Sequence, residues 1–195
     1  NENGLPRIAS NGTYMKKRDK LTTNTVVSTV MSNYGLGKAL KEADIDWIQT
    51  QVGDRFVYEC MRQGGHLLGG EDSGHIIFSK YATTGDGVLT SIKVMQAMID
   101  QKMPLSKLAE PIKLYPQVLK NVRVVDKDAA MNNPAVQAAY AEAQKALEGD
   151  GRVLLRKSGT EPVVRVMAEA GSTEICNKYV DAIIDVMKKE NRIAQ

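Results

Sequence analysis

The β-branched run Thr25-Val26-Val27-Ser28-Thr29-Val30-Met31 has no polar face and predicts a buried strand. Ser32-Asn33 breaks it, and a helix is expected over Gly35 to Ala43. A second strand over Ile45 to Val52 runs out at Gly53-Asp54-Arg55, a helix follows over Phe56 to Gln63, and short strands at His66 to Leu68 and Ile76 to Phe78 flank a glycine-hinged polar stretch. Strands alternating with helices predict βαβ units and a sheet that is at least partly parallel, whose ligands sit at the carboxyl ends of strands. In Thr83-Thr84-Gly85-Asp86-Gly87, Asp86 is placed to cap a long helix. Val88, Ile92, Met95 and Ile99 share one side of that helix, which is expected to be its core face. Pro104 ends it, and Leu105 to Ala109 adds a further turn.

Beyond Pro111 and Pro116 the pattern changes. A strand over Val118 to Val125 is followed by a helix from Asn133-Pro134 with Val136, Ala139, Tyr140, Ala143 and Leu147 on one face, stopped by Gly149-Asp150-Gly151. Arg152 to Lys157 and Val163 to Ala168 read as strands, and a last helix opens at Ser172 with Ile175, Tyr179, Ile183 and Val186 inward. The fold class is α/β: a mixed-sheet α/β domain over residues 21–116, then a smaller α+β domain with a mostly antiparallel sheet over 117–195. Residues 1–20 carry turns at Asn3-Gly4 and Asn11-Gly12 and little periodicity, and are expected to be the tail of a preceding unit. A first residue of Asn, with no Met, fits a piece of something longer.

Composition narrows the function classes. A chain of 195 residues with 43% hydrophobic and 25% charged residues is an ordinary globular protein able to bury a real core. The net charge of +3, spread along the chain apart from Lys16-Lys17-Arg18 and Lys20, gives no basic face for nucleic acid. No apolar run approaches a membrane span and no leader opens the chain, so a cytoplasmic location is the expectation. Cys60 and Cys176 form no C-x-x-C and read as free buried thiols, and His66 and His75 lack the spacing of metal ligands.

Two loops carry chemistry. If Glu71 to His75 is extended, Glu71, Ser73 and His75 project to one side and Asp72 and Ile76 to the other, offering vicinal sugar hydroxyls a carboxylate, a hydroxyl and an imidazole. Gly69, Gly70 and Gly74 would let a ligand approach backbone. In Arg156-Lys157-Ser158-Gly159-Thr160-Glu161-Pro162, a guanidinium, two hydroxyls and a glycine N–H make an oxyanion site without a nucleophile. Arg165 is either a second phosphate ligand or an exposed strand charge. Taken singly, each loop is also an ordinary polar turn. Gly35-Leu36-Gly37 lacks the third glycine of a dinucleotide fingerprint, and Asp72, Ser73 and His75 are too close in sequence to act as a hydrolase triad.

Gly70-Glu71-Asp72-Ser73-Gly74-His75 and Arg156-Lys157-Ser158-Gly159-Thr160-Glu161-Pro162, in this order, resemble the α-D-phosphohexomutase family. Thr25 to Asn33, Val52 to Val57, Thr83 to Gly87 and Tyr115 to Val118 support the likeness, which covers nearly the whole chain. The resemblance implies the third and fourth of four domains, preceded by the end of the second. It implies the branch that interconverts glucosamine 6-phosphate and glucosamine 1-phosphate for UDP-N-acetylglucosamine and peptidoglycan, with phosphomannomutase or phosphoglucomutase activity, or a non-catalytic phosphosugar-binding module, as alternatives. It further implies that Glu71, Ser73 and His75, with Gly53, Asp54 and Arg55 lining the cleft, bind the sugar, and that Arg156, Ser158, Gly159 and Thr160 hold the non-reacting phosphate. Asp72 stands where that branch often has Gln. The family's serine loop and aspartate-rich magnesium loop are absent from this chain, so no catalytic and no metal residue is assigned. Mg2+ is expected only in the full-length parent, and the isolated chain is expected to be inert. The implied partners are a phosphosugar, the missing N-terminal domains and a second copy of the full-length enzyme.

Overall fold

The computed structural model describes residues 4–190, 192 and 193, which fall into two units divided between Leu114 and Tyr115. The first unit contains α1 (Gly4–Lys17), β1 (Thr25–Thr29), α2 (Tyr34–Glu42), β2 (Asp46–Thr50), α3 (Asp54–Gly64), β3 (Leu68–Gly70), β4 (Ile76–Phe78), α4 (Gly87–Gln101) and α5 (Leu105–Ala109). Its sheet has the order β2-β1-β3-β4, with β1 parallel to β2 and β3, and β4 antiparallel to β3. Every residue of β1 is buried, because helices cover both faces. Val26 joins Ile8, Leu36 and Leu40 on one face, and Val27 joins Val57 and Met61 on the other. The chain moves outward from β1 to β2 and then back past β1 to β3; crossovers of one hand in opposite directions lie on opposite faces, as α2 and α3 do.

Glycines fit these layers closely. A Cβ on Gly69 would lie 2.5 Å from Met61 Sδ and 2.8 Å from Val57 Cγ1, so β3 must be bare where α3 crosses it. The helix after β1 uses Gly35 to pass the carbonyl of Lys113 and Gly37 to seat the Trp47 ring, which accounts for both glycines through packing, with no nucleotide. Trp47 is in turn held by a 2.7 Å hydrogen bond from its indole N–H to Ser28 Oγ.

Two expectations for this unit need correction. The turn expected at Asn11-Gly12 is helical, and α1 contributes Leu5, Ile8 and Ala9 to the core of the first unit, where a tail of a preceding unit was expected. The turn at Asn3-Gly4 begins outside the described residues. In α4, Asp86 caps the helix as expected, accepting from Leu89 N–H at 2.9 Å. The buried positions are Thr90, Val94 and Ala97, however, while Val88 and Ile99 are 74% and 75% exposed. Two apolar stripes run along this helix; Ala97 packs with Tyr14 and Leu108, so the smaller stripe faces inward.

The second unit contains β5 (Gln117–Arg123), α6 (Lys127–Met131), α7 (Pro134–Ala146), β6 (Arg152–Lys157), β7 (Val163–Glu169) and α8 (Thr173–Lys189). Its sheet is antiparallel throughout, in the order β5-β7-β6. Alternation along β6 and β7 sends Val153, Leu155, Val164 and Val166 into a core shared with Val136, Ala143, Val180 and Ile183 of the helices. The inward stripe of α8 is Cys176, Val180, Ile183 and Met187: Ile183 is buried as expected, the other three each lie one residue beyond the expected position, and Ile175 is 42% exposed. Both cysteines are free thiols, Cys176 buried and Cys60 half-buried. Among the described residues no helix is long and apolar enough to cross a membrane.

Asn133 starts α7 as the sequence predicts, ahead of Pro134: its side-chain oxygen accepts from the N–H groups of Ala135 and Val136, and its amide donates to Glu190 Oε2 at 3.1 Å. Asn133→Ala is expected to cost about 1–2 kcal/mol, read as a lowered urea midpoint with unchanged slope, whereas Asn133→Ser keeps the acceptor of the cap and loses only the bond to Glu190.

Candidate functional site

The first chemical loop joins β3 to β4 as a tight turn. Glu71 N–H donates to the His75 carbonyl at 2.9 Å, Gly74 N–H donates to the Glu71 carbonyl at 3.1 Å, and Gly74 adopts a φ of +100°. The extended alternation expected over Glu71 to His75 is therefore absent, because the antiparallel pairing of β3 with β4 requires the chain to reverse within these residues. The turn still brings Ser73 Oγ to 3.3 Å from His75 Nδ1, both exposed.

Parallel pairing puts the carboxyl ends of β1, β2 and β3 at one edge of the sheet, and the other expected sugar residues gather there. The Glu71 carboxylate accepts from Gly53 N–H at 3.0 Å. Gly53 is the N-cap of α3 with a φ of +129° and has no side chain to satisfy the helix start, so Glu71 supplies the negative charge from a neighbouring loop. Thr84 Oγ1 donates to Asp54 Oδ2 at 3.3 Å, and a Cβ on Gly85 would stand 3.0 Å from the Cα and Cβ of His75. Gly53, Asp54, Glu71, Ser73 and His75 thus form one constellation, closed by Thr84 and Gly85. Arg55 does not join it: its side chain is 80% exposed and pairs with Glu59 along α3. Beneath the turn lies the start of α1, where a Cβ on Gly4 would meet the carbonyl oxygen of Glu71 at 2.5 Å.

The second loop is the hairpin between β6 and β7. Register places Arg156 directly opposite Arg165, on the sheet face away from the core shared with α7 and α8. Burial first, and the facing Arg165 second, hold the Arg156 guanidinium below its ordinary pKa. Arg165 donates to Glu161 Oε2 at 3.3 Å, and its Nε is buried without a partner in the described structure. Two guanidiniums held face to face repel each other unless an anion lies between them. The backbone N–H groups of Gly159 and Thr160 make no hydrogen bond among the described residues, both residues are exposed, and a Cβ on Gly159 would meet open space. Ser158 has a part in holding the loop. It is buried, its N–H donates to the Val163 carbonyl, and its hydroxyl accepts from Glu161 N–H at 3.3 Å, so it braces the turn.

Lys127, which the sequence reading passed over, donates to the carbonyls of Ser158 at 2.9 Å and Glu161 at 3.3 Å, and Lys157 pairs with Asp128. The short helix α6 thereby clamps both ends of the loop. A charged run, Asp126-Lys127-Asp128, was the only local signal, and it resembles any solvated turn. Among the described residues no three His, Cys, Asp or Glu side chains form a group able to hold a metal ion.

Comparison with known proteins gives the family. Residues 8–115 match the model of the phosphoglucomutase/phosphomannomutase alpha/beta/alpha domain III, and residues 119–186 match that of the phosphoglucomutase/phosphomannomutase C-terminal domain. The chain is 59% identical over 179 residues to a phosphoglucosamine mutase of Lachnospira eligens, covering 92% of this chain and 40% of that protein. It is 51% identical over 182 residues to a phosphoglucosamine mutase of Lachnoclostridium phytofermentans, covering 93% of this chain and 41% of that protein. The chain thus spans about 40% of the length of these curated relatives. Among solved structures, N-acetylphosphoglucosamine mutase of Aspergillus fumigatus, in complex with GlcNAc-6P and magnesium, superposes with a TM-score of 0.76 at 18% identity, covering 96% of this chain and 44% of that one, a likeness of fold alone. The chain belongs to the phosphoglucomutase/phosphomannomutase family, the α-D-phosphohexomutases, of which it carries domain III and the C-terminal domain.

Proposed function

We propose that this chain is the substrate-binding half of a phosphoglucosamine mutase, which interconverts glucosamine 6-phosphate and glucosamine 1-phosphate on the way to UDP-N-acetylglucosamine. The observation that carries the reading is the facing Arg156–Arg165 pair beneath a loop with two unused N–H groups, a site whose charge and donors suit the dianion of a phosphate monoester. The names of its relatives support the choice of an aminosugar over glucose or mannose.

In such a mutase a phosphoserine gives its phosphoryl group to the sugar phosphate, the bisphosphate turns end for end, and the opposite phosphate returns to the serine. The residues of this chain then have two tasks. Arg156, Arg165, Gly159 and Thr160 grip whichever phosphate is not reacting, and Glu71, Ser73 and His75 grip ring hydroxyls in either orientation. Glu71 can accept from a hydroxyl with the oxygen not used by Gly53, and Ser73 with His75 can donate or accept as the hydroxyl requires. A turn fixed by backbone hydrogen bonds keeps these groups in place without induced ordering. Magnesium would assist transfer in the complete enzyme; the described residues offer no cluster for it. The chain alone is expected to bind phosphosugar and to turn none over.

Calorimetric titration with glucosamine 6-phosphate tests this. One weak site is expected, with unphosphorylated glucosamine giving no heat and Ser73→Ala weakening binding about three- to tenfold through the loss of one hydrogen bond. Equal binding of glucosamine and its phosphate, or no binding of the phosphate at millimolar concentration, overturns the reading for this chain.

A further inference from the structure

We propose that the first unit contains a second ligand site, separate from the sugar loop, for a small ring-bearing anion: an aromatic or alicyclic group carrying a carboxylate or a phosphate. A cavity of about 300 Å³ opens between α1, the segment that joins α1 to β1, Leu67, the end of β4 and α4. Met15, Leu67 and Phe78 give it an apolar floor, and Tyr81 stands beside it, 56% exposed. Its volume is at the lower end of the range that small-molecule pockets occupy.

The rim is cationic. Lys20, Lys80 and Lys93 all line the opening, against one carboxylate, Asp19. None of the three lysines forms an ion pair among the described residues; the neighbouring carboxylate of Asp100 is already taken by Tyr14 OH at 2.5 Å and Arg18 at 2.8 Å. Lys93 instead lies 4.3 Å from the centre of the Tyr81 ring and donates to its hydroxyl at 3.2 Å, with Lys80 5.8 Å from the same ring. The hydrogen bond and charge of Lys93 hold the Tyr81 hydroxyl below its ordinary pKa, in keeping with the position of that ammonium group beside the ring. An apolar floor with converging unpaired cations is complementary to a ligand that is apolar at one end and anionic at the other. A sugar phosphate lacks the apolar end.

Amide chemical shifts of the full 195-residue chain test the proposal with 2-naphthoate, its neutral counterpart 2-naphthol, and inorganic phosphate as probes. Naphthoate is expected to move the signals of Leu67, Tyr81 and Gln96 to saturation at one site, naphthol to bind there about tenfold more weakly, and phosphate not to saturate these three signals, whatever it does at Gly159 and Thr160. Lys80→Ala combined with Lys93→Ala should weaken naphthoate about tenfold, with the remaining spectrum unchanged. If that pair disturbs the fold, Lys80→Glu alone should give the same fall. Shifts confined to Ile92, Met95 and Ile99 on the exposed face of α4, equal binding of naphthol, or unaltered binding by the lysine variants would each overturn it. The sugar-loop titration is independent of these outcomes.

Discussion

Arg156→Ala lowers the affinity for glucosamine 6-phosphate by about two orders of magnitude, the loss of about 2–3 kcal/mol that follows when a bidentate guanidinium leaves a phosphate. The same substitution leaves the urea midpoint of the second unit unchanged or slightly raised. The two effects separate because Arg156 and Arg165 face each other across β6 and β7, and a like-charged cross-strand pair opposes folding by a few tenths of a kcal/mol. Without an anion the pair is a liability, and with one it is the grip. Arg165→Ala should weaken binding similarly, with a small added loss from its contact to Glu161, which is solvent-exposed and worth little. Titration and urea unfolding of the same two variants decide the matter. Lowered stability with unaltered affinity would make both arginines structural and sink the phosphate assignment.

Glu169→Ala is expected to destabilise the second unit by about 3–5 kcal/mol, the usual result of removing one member of a buried ion pair. Glu169 is 0% exposed at the end of β7, where it accepts from Arg152 Nε and from Gln117 Nε2, each at 2.7 Å. Its removal takes away the carboxylate that Arg152 Nε holds at 2.7 Å, and the Arg152 side chain is only 18% exposed. Glu169→Gln, which keeps an acceptor, should lose less, and replacing Glu169 and Arg152 together by methionine should recover part of the loss, because the buried charge pair goes as a unit while the Gln117 amide still loses its acceptor. Protection of the β7 amides of Val164 and Val166 from hydrogen exchange reports this unit directly. If the double substitution is as damaging as Glu169→Ala, packing and not charge governs the site.

Most strands and helices were legible because each carries one period. β1 reads as a buried strand since both its faces are covered, and α7 announces itself through Asn133-Pro134. The helix α1 was hidden because Gly4 and Gly12 occupy positions where bulk would signal an apolar stripe. Gly12 lies under Val26, where a Cβ would stand 3.2 Å from Cγ2, so the residue that makes the packing possible also weakens the pattern. In α4 two apolar stripes compete, and only the position of α1 and α5 decides between them. The chemical residues were legible as types: a carboxylate, a hydroxyl and an imidazole in one loop, and a guanidinium with small residues in the other. Their joining was not. The contact of Glu71 with Gly53 depends on strands that are neighbours of β1 and not of each other, and the clamp by Lys127 on Ser158 links a helix to a hairpin. Arg55, which directly follows Gly53-Asp54, is carried away from the constellation by the turn of α3.

The two loops also differ in how far along the chain their partners lie. Arg156 meets Arg165 through a single hairpin, a pairing that local chain collapse can form early. Gly53, Glu71 and Thr84 meet only after β1, β2 and β3 have registered in parallel through two crossovers, which are slow, non-local events. On refolding of the whole chain, therefore, the anion grip needs only a local pairing while the sugar grip needs the parallel sheet of the first unit; during synthesis residues 53–84 emerge first and that advantage is lost.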